Sequence, residues 1–199
     1  GEFIENDRIL DIKRSDPADQ TIKILCVGTV EPRKNHLTLL RAFKQIKSEY
    51  SGAVELVIAG GEMFEDLSQE VAKYIDEIPG LRWELSPSDE KLRDLYQACD
   101  FTVYPSLEEG FGLPILESIW NAKPCVCHHE GAMREVASEG GCVMANAASP
   151  ELLAAGMMSL IQDQEHLLSL TRECTQIRLK TWFEYGQEIA TRIAVESSV

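Results

Sequence analysis

The sequence has few basic residues and no long hydrophobic run. Its 19 lysines and arginines are outnumbered by 33 aspartates and glutamates, which gives a formal net charge of −14 at pH 7. A protein that binds nucleic acid needs a basic face, so this balance argues against that class. No apolar run approaches the roughly 18 residues of a membrane-spanning helix, and no stretch resembles a signal peptide. These absences predict a cytoplasmic protein without a transmembrane segment.

A C-x-x-C pair is also missing, although the chain has six cysteines. Cys26, Cys125, Cys127 and Cys142 lie in apolar, strand-like runs, which indicates buried, reduced thiols. The run Cys125–His129 concentrates residue types that bind metals, but its spacing matches no standard zinc site. We therefore predict no metal site, and interpret these residues as core thiols followed by loop histidines.

The remaining composition is that of one globular domain. With 199 residues, 44% of them hydrophobic and 26% charged, the chain can bury a substantial core. Residues 1–20 are polar and irregular, so we interpret them as a linker or the remnant of a preceding segment, and residues 21–199 as the domain.

Short apolar runs alternate with patterns of helical spacing along this domain. Alternation of this kind predicts a doubly wound, Rossmann-like parallel sheet of about six strands with helices on both faces. A further helix is predicted at the end of the chain, with Trp182, Tyr185, Ile189 and Ile193 forming a core-facing stripe. The predicted strands are Thr21–Val27, Val54–Ala59, Leu81–Leu85, Phe101–Tyr104, Pro124–Cys127 and Cys142–Met144. The predicted helices include Asp89–Ala98 with Ser88 as its N-cap, a short one that begins at Glu135, one capped by Ser149, and Glu165–Lys180.

A glycine-bearing loop follows the fourth apolar run and leads into a helical segment. The sequence Glu108–Glu117 reads EEGFGLPILE, with Gly110 and Gly112 on either side of Phe111 and with Pro114 near the first helical turn. A strand, a glycine loop and a helix start bring backbone amides together at the positive end of a helix dipole. This stretch therefore predicts an anion site.

Two glutamates flank this element, Glu109 in the loop and Glu117 in the helix. Their spacing lets both carboxylates reach one ligand from different sides, one at sugar hydroxyls and the other at a second polyol such as a ribose. The alternative is a loop glutamate in water and a helix glutamate in a salt bridge. The glycines, the preceding strand and the following helix favour the ligand site.

The first strand is followed by a basic loop and a helix, which is a second arrangement suited to phosphate. The loop Gly28–Asn35 contains Arg33, whose guanidinium matches phosphate oxygens, and Lys34, a mobile point charge. A surface turn with two solvated cations is the alternative. In a parallel sheet, ligands bind beyond the carboxyl ends of the strands, and both candidate loops leave strands at that edge.

The segment from Glu109 to Pro114, together with Glu117, resembles the E-x7-E signature of retaining GT-B glycosyltransferases of family 4. The resemblance implies that the amides of Gly110, Phe111, Gly112 and Leu113 and the helix start hold the diphosphate of a nucleotide sugar. It also implies that Glu109 contacts the transferred sugar and that Glu117 contacts the ribose.

The first loop is similar to the first donor loop of the same family, over Gly28, Thr29 and the basic pair. By resemblance, Lys34 and Arg33 hold the donor diphosphate. Many members have arginine where this chain has Thr29, so whether Arg33 replaces that residue stays open. The loop Ser86–Ser88 resembles the loop that lies beside the nucleotide base in the family.

The resemblance implies that the chain is the C-terminal, donor-binding half of a glycosyltransferase used in polysaccharide biosynthesis. Glu109, Lys34 and Arg33 are then the catalytic residues, and a hexose such as mannose passes to a glycan or lipid-linked acceptor. We expect a separate N-terminal acceptor domain and little transfer by the isolated half. We expect no cofactor, and favour GDP-mannose slightly over a UDP-sugar. The full-length enzyme is expected to be cytoplasmic or peripheral to the inner face of the membrane.

Three other functions remain as alternatives. Glu109 and Glu117 are the paired carboxylates that a glycoside hydrolase needs, about 5–5.5 Å apart for retention or roughly 6.5–9.5 Å apart for inversion. The same loops suit a non-catalytic nucleotide-sugar sensor or one half of a GT-B-like epimerase. Hydrolysis leaves the glycine loop and the basic turn unexplained.

Overall fold

The computed structural model describes residues 21–179 and 181–196, so the linker predicted over residues 1–20 lies outside the described residues. The strands are β1 (Ile22–Val27), β2 (Val54–Gly60), β3 (Leu81–Leu85), β4 (Phe101–Tyr104), β5 (Cys125–His128) and β6 (Cys142–Ala145). The helices are α1 (His36–Glu49), α2 (Glu65–Glu77), α3 (Asp89–Ala98), α4 (Leu113–Trp120), α5 (Gly131–Ala137), α6 (Pro150–Gln162), α7 (Gln164–Gln176) and α8 (Trp182–Glu196).

The six strands form one parallel sheet in the order β3-β2-β1-β4-β5-β6. This confirms the predicted doubly wound, Rossmann-like fold. The strand order reverses between β1 and β4, which lie side by side although two strands separate them in sequence. The connections after β1 and after β4 turn toward opposite faces there and leave a crevice at the carboxyl edge. Both predicted anion-binding loops begin at this crevice.

Alternating residues of each strand supply the two halves of the core. On β1, Ile24 and Cys26 pack with α1, α2 and α6 on one face, while Leu25 packs with α3 on the other. On β5, Cys125 and Cys127 pack with α4 and α5. All six cysteines are free, and all but the half-buried Cys142 are buried, in agreement with the predicted core thiols. Because helices cover both faces, the central strands consist mainly of apolar residues.

Four strands begin or end one residue away from the predicted limits, and three other segments differ from those predicted. Pro32–Lys34 forms a 3-10 turn where a loop was expected, with proline at its first position. Helix α5 begins at Gly131 rather than at Glu135, because Glu130 is extended and already serves as the N-cap residue. Helix α7 ends at Gln176, where the backbone becomes extended, instead of at Lys180, which lies outside the described residues.

The prediction of a core-facing stripe on the last helix is wrong for the side chains that the structure describes. On α8, Tyr185 is 45% exposed, Ile189 46% and Ile193 60%. The side chain of Trp182 lies outside the described part. Helices α1–α7 already cover the sheet, so helical spacing alone did not reveal whether an apolar surface remained for α8. Like the other helices in the described ranges, α8 lacks the length and apolar character needed to cross a membrane.

We predict that Gly60→Ala destabilises the protein by about 1–3 kcal/mol, because it overpacks the junction between β1 and β2. A Cβ atom at Gly60 would lie 2.1 Å from the carbonyl oxygen of Gly28. The backbone of Gly28 cannot easily move away, because its amide donates a hydrogen bond to the carbonyl oxygen of Ala59. Urea unfolding monitored by circular dichroism measures the loss.

Gly61→Ala is the matched control, since a Cβ atom there would meet only Ser86 Oγ at 3.5 Å. Its free energy of unfolding should stay close to the wild-type value. Equal losses at Gly60 and Gly61 would contradict this account.

Candidate functional site

The loops that follow β1 and β4 are tied together at the crevice. The amide of Leu107 donates to the carbonyl oxygen of Arg33 over 3.1 Å, and Ser106 Oγ lies 3.1 Å from the same oxygen. Ser106 is fully buried. These two contacts with one carbonyl hold the 3-10 turn against the start of the glycine loop.

Asn35 connects a third loop to these two. It has a left-handed backbone, with φ 57° and ψ 34°, as the N-cap of α1. Asparagine adopts this region more readily than most residues. Its Nδ2 donates to the carbonyl oxygens of Ala147 at 2.7 Å and of Pro105 at 3.3 Å. The loops after β1, β4 and β6 therefore share one side chain, directly next to Lys34.

The carboxylate of Glu109 lies between the two predicted cations. Its Oε1 is 2.7 Å from Lys34 Nζ and 2.6 Å from Arg33 Nη1, and Ser106 Oγ donates to it over 2.7 Å. The side chains of Lys34 and Glu109 are 12% and 11% exposed, whereas that of Arg33 is 47% exposed. The structure thus brings together the three residues predicted to be catalytic.

These contacts keep Glu109 ionised. Partial burial opposes ionisation of its carboxyl group, but four hydrogen bonds outweigh that effect and lower the pKa from 4.5 to about 2. The donors are Lys34, Ser106, Tyr104 and Arg33. In the free protein, the site therefore already holds an internal anion on its two cations.

Two contributors to this cluster were missed by sequence reasoning. Tyr104, the last residue of β4, accepts a hydrogen bond from Lys34 Nζ over 2.7 Å. Glu31 forms an ion pair with Arg33 Nη2 at 2.7 Å. The position of Tyr104 in the sequence could have indicated its role, because ligands bind at the carboxyl ends of parallel strands and Tyr104 is a polar residue at such an end. No pattern distinguished Glu31 from an ordinary surface glutamate.

Glu117 lies in a different environment from Glu109. It projects from α4, and its Oε2 accepts a hydrogen bond from the buried Tyr96 hydroxyl over 3.1 Å. Burial raises the pKa of Glu117, while Tyr96 and the charge of Lys34 partly oppose that rise. Lys34 thus lowers the pKa of Glu109 through a hydrogen bond and opposes the rise in the pKa of Glu117 through its charge.

The start of α4 has open backbone amides. Its N-cap residue is Gly112, with φ +84°, a left-handed conformation that favours glycine. Glycine has no side chain to cap the first amides, and no side-chain cap bond is formed there. Phe111 and Leu113 on either side are 52% and 40% exposed. A ligand at the crevice can therefore approach this helix terminus.

The remaining residues predicted to contact the donor, Gly28, Thr29 and Ser88, lie in two places. Gly28 and Thr29 lead from β1 into the loop, and a Cβ atom on Gly28 would lie 3.6 Å from Lys34 Cδ, so the lysine stem passes over Gly28. Ser88 is separate from the cluster, because it follows β3, two strands from β1. Its hydroxyl caps α3 by accepting from the amide of Lys91.

In the segment Cys125–His129, which was considered for metal binding, one histidine nitrogen takes part in a hydrogen bond with the backbone. His128 Nδ1 accepts a hydrogen bond from the amide of Ala147 over 3.1 Å. Within residues 21–179 and 181–196, no group of three or more histidine, cysteine, aspartate or glutamate side chains is arranged to hold a metal ion.

Comparison with known proteins assigns the family. Residues 7–176 match the profile described as "Glycosyl transferases group 1". The chain belongs to this glycosyltransferase family. It is 34% identical over 161 residues to the O-antigen chain mannosyltransferase B of Escherichia coli, a match that covers 79% of this chain and 42% of that protein.

Solved structures agree on the GT-B type of fold. Anabaena HepE in complex with UDP and glucose superposes with a TM-score of 0.76 at 19% identity, over 90% of this chain and 53% of that one. The catalytic domain of starch synthase IV from Arabidopsis thaliana, bound to ADP and acarbose, superposes with a TM-score of 0.72 at 13% identity. That match covers 92% of this chain and 39% of the starch synthase chain. The chain spans about half or less of the length of these proteins.

We predict that Glu109→Gln lowers the free energy of unfolding at pH 7 by about 1–3 kcal/mol, the range for hydrogen bonds to charged groups. The folded-state pKa is depressed, so the contribution of Glu109 is present above pH 4.5 and is lost as the pH falls toward about 2. Urea unfolding at pH 7, 5, 4 and 3 should show the two proteins converging below pH 4.5.

Glu77→Gln is the control, because the Glu77–Lys44 pair at 3.0 Å is 58–60% exposed. Exposed pairs contribute about 0–1 kcal/mol, so this change should be small at every pH. A constant difference between Glu109→Gln and wild type from pH 7 to pH 3 would contradict the assigned ion pairs.

Proposed function

We propose that this chain is the donor-binding half of a retaining, family 4 glycosyltransferase that uses a nucleotide diphosphate sugar. One observation carries the proposal. Lys34, Arg33 and Glu109 meet at the strand-order reversal, beside the uncapped start of α4. Cations, open amides and a helix dipole at one point form a site for a diphosphate.

The basic pair and the helix start have a direct role in the reaction that we propose. When the sugar departs, negative charge develops on the diphosphate leaving group. Lys34 and Arg33 stabilise that charge together with the amides of Gly110–Leu113, and they are in place before the reaction begins. Preorganised donors need little rearrangement, and removing one costs on the order of 3 kcal/mol in the barrier.

The two glutamates then have different tasks. Glu109 is ionised and lies among the cations, where it contacts the transferred sugar once the donor is bound. Glu117 is farther along α4, beside Tyr96, where it accepts hydrogen bonds from the ribose hydroxyls. Thr29 and Gly28 line the first loop, and Ser88 belongs to the side of the nucleotide base.

A mannose donor suits the available comparisons best. The relative in Escherichia coli is an O-antigen mannosyltransferase. We therefore propose GDP-mannose ahead of a UDP-sugar, with transfer to a glycan or lipid-linked acceptor in surface-polysaccharide synthesis. Since the chain spans only part of its relatives, we propose that a separate acceptor-binding half completes the cleft and that this half alone transfers little.

No divalent ion is needed in the proposed site. Two cations and a helix start supply the positive charge that a metal otherwise supplies to a diphosphate.

We predict that Lys34→Ala weakens binding of GDP by about 10- to 100-fold, because Lys34 is the buried cation of the site. This range corresponds to about 1.4–2.8 kcal/mol. Isothermal calorimetry in EDTA measures the dissociation constant and tests the absence of a metal requirement at the same time. UDP and ADP are titrated in parallel to rank the bases.

Lys44→Ala is the matched control, since Lys44 forms an exposed pair on α1 away from the crevice. It should bind GDP like the wild type. Equal effects of the two lysine substitutions would refute the diphosphate site, and a strict Mg²⁺ requirement would refute the metal-free proposal.

We also predict that Glu109→Gln strengthens binding of GDP, about fivefold, while it reduces sugar transfer by the complete enzyme. A carboxylate about 4 Å from a phosphate opposes its binding by about 1 kcal/mol when solvent screens the pair. Removing that charge frees Lys34 and Arg33 for the diphosphate.

Titrations of GDP and of GDP-mannose separate the two effects. The advantage of the sugar-bearing donor over GDP should shrink in Glu109→Gln. Weaker binding of GDP itself would show that Glu109 does not compete for the cations.

A further inference from the structure

Lys34 has two hydrogen-bond partners of different kinds. Its Nζ is 2.7 Å from Glu109 Oε1 and 2.7 Å from the Tyr104 hydroxyl oxygen. The same Nζ lies over the Tyr104 ring, 4.9 Å from its centroid, so a cation–π contact accompanies the hydrogen bond to the hydroxyl. One partner is therefore a charged side chain of a loop, and the other is a neutral group at the end of a strand.

The core holds Tyr104 in place. It is 2% exposed and is the last residue of β4, paired with Cys127 on β5. Its ring belongs to the cluster that also contains Ile115, Ile119, Cys125 and Met133. Packed rings of this kind have few accessible rotamers, so the position of the hydroxyl oxygen is set before any ligand arrives.

A bound diphosphate competes with only one of these partners. Glu109 and a phosphate oxygen are both anions, and both require the ammonium group of Lys34. The Tyr104 oxygen is neutral, and an ammonium group with three protons can donate to it and to an anion at the same time. The contact with Tyr104 is therefore compatible with either anion.

We propose that Tyr104 is a positioning residue for Lys34. Its buried hydroxyl keeps the ammonium group directed at the donor diphosphate after the diphosphate has displaced Glu109. This inference rests on the proposed function of the site. Lysine has a flexible four-carbon stem, and a fixed acceptor reduces the freedom that Lys34 would otherwise lose on binding.

The test is a double-mutant cycle on GDP binding with Tyr104→Phe and Lys34→Ala. Phenylalanine keeps the packed ring and removes only the hydroxyl. We expect Tyr104→Phe to weaken binding about tenfold in the wild-type background, and to change it less than twofold in the Lys34→Ala background. Residues that act through one another are non-additive, whereas a general structural role would be additive. NMR shift titration extends the measurement to millimolar dissociation constants.

Tyr50→Phe is the control, because Tyr50 caps the far end of α1 and packs against the core at a distance from the crevice. It should leave GDP binding unchanged in both backgrounds. The melting temperature of every variant is measured alongside, to verify that each is folded.

The outcomes separate this inference from the function on which it rests. Equal losses from Tyr104→Phe in both backgrounds, or no loss in the wild-type background, would overturn the positioning role while Lys34→Ala still supported the diphosphate site. A wild-type chain that binds none of GDP, UDP and ADP would overturn both.

Discussion

The carboxylate of Glu109 holds a lysine and an arginine that belong to a distant part of the sequence, and the site depends on this contact. Lys34 and Arg33 would repel one another and remain hydrated without a shared anion. With Glu109 between them, their side chains converge at the carboxyl edge of the sheet. The cost of partly burying these charges is offset because each is paired and hydrogen-bonded. A strongly acidic chain can thus hold two cations together at one point of its surface.

The backbone frame makes this contact possible. The reversal of strand order places β1 beside β4, and Asn35 and the Arg33 carbonyl tie the two loops together. Gly60 allows β2 to lie directly against the start of the first loop. The start of α4 then adds its open amides to the same crevice. Hydrogen bonds between the loops therefore hold the segments that carry the charged groups, which suits a site that stabilises charge.

The two glutamates of the signature show how environment separates chemically identical groups. Burial opposes ionisation of both carboxyl groups, but four hydrogen bonds reverse its effect on the pKa of Glu109, whereas the Tyr96 hydroxyl and the charge of Lys34 only moderate it at Glu117. The first carboxylate is consequently an anion held by two cations. The second is a partly buried hydrogen-bonding group on a helix. This difference in environment supports the different roles proposed for sugar and ribose.

Local patterns in the sequence determined the six strands to within one residue, the helix over Asp89–Ala98, the caps at Ser88 and Ser149, and the two loops with Lys34 and Glu109. Apolar runs, helical spacing and turn residues act over a few positions, so they can be recognised without a structure. The tertiary structure alone decided that β1 adjoins β4, that Glu109 lies on Lys34 and Arg33, and that Tyr104 holds Lys34 from the core. It also left the stripe on α8 exposed, against the helical pattern. Strand order, side-chain pairing and burial depend on contacts between distant segments, and no local period encodes which segments will meet.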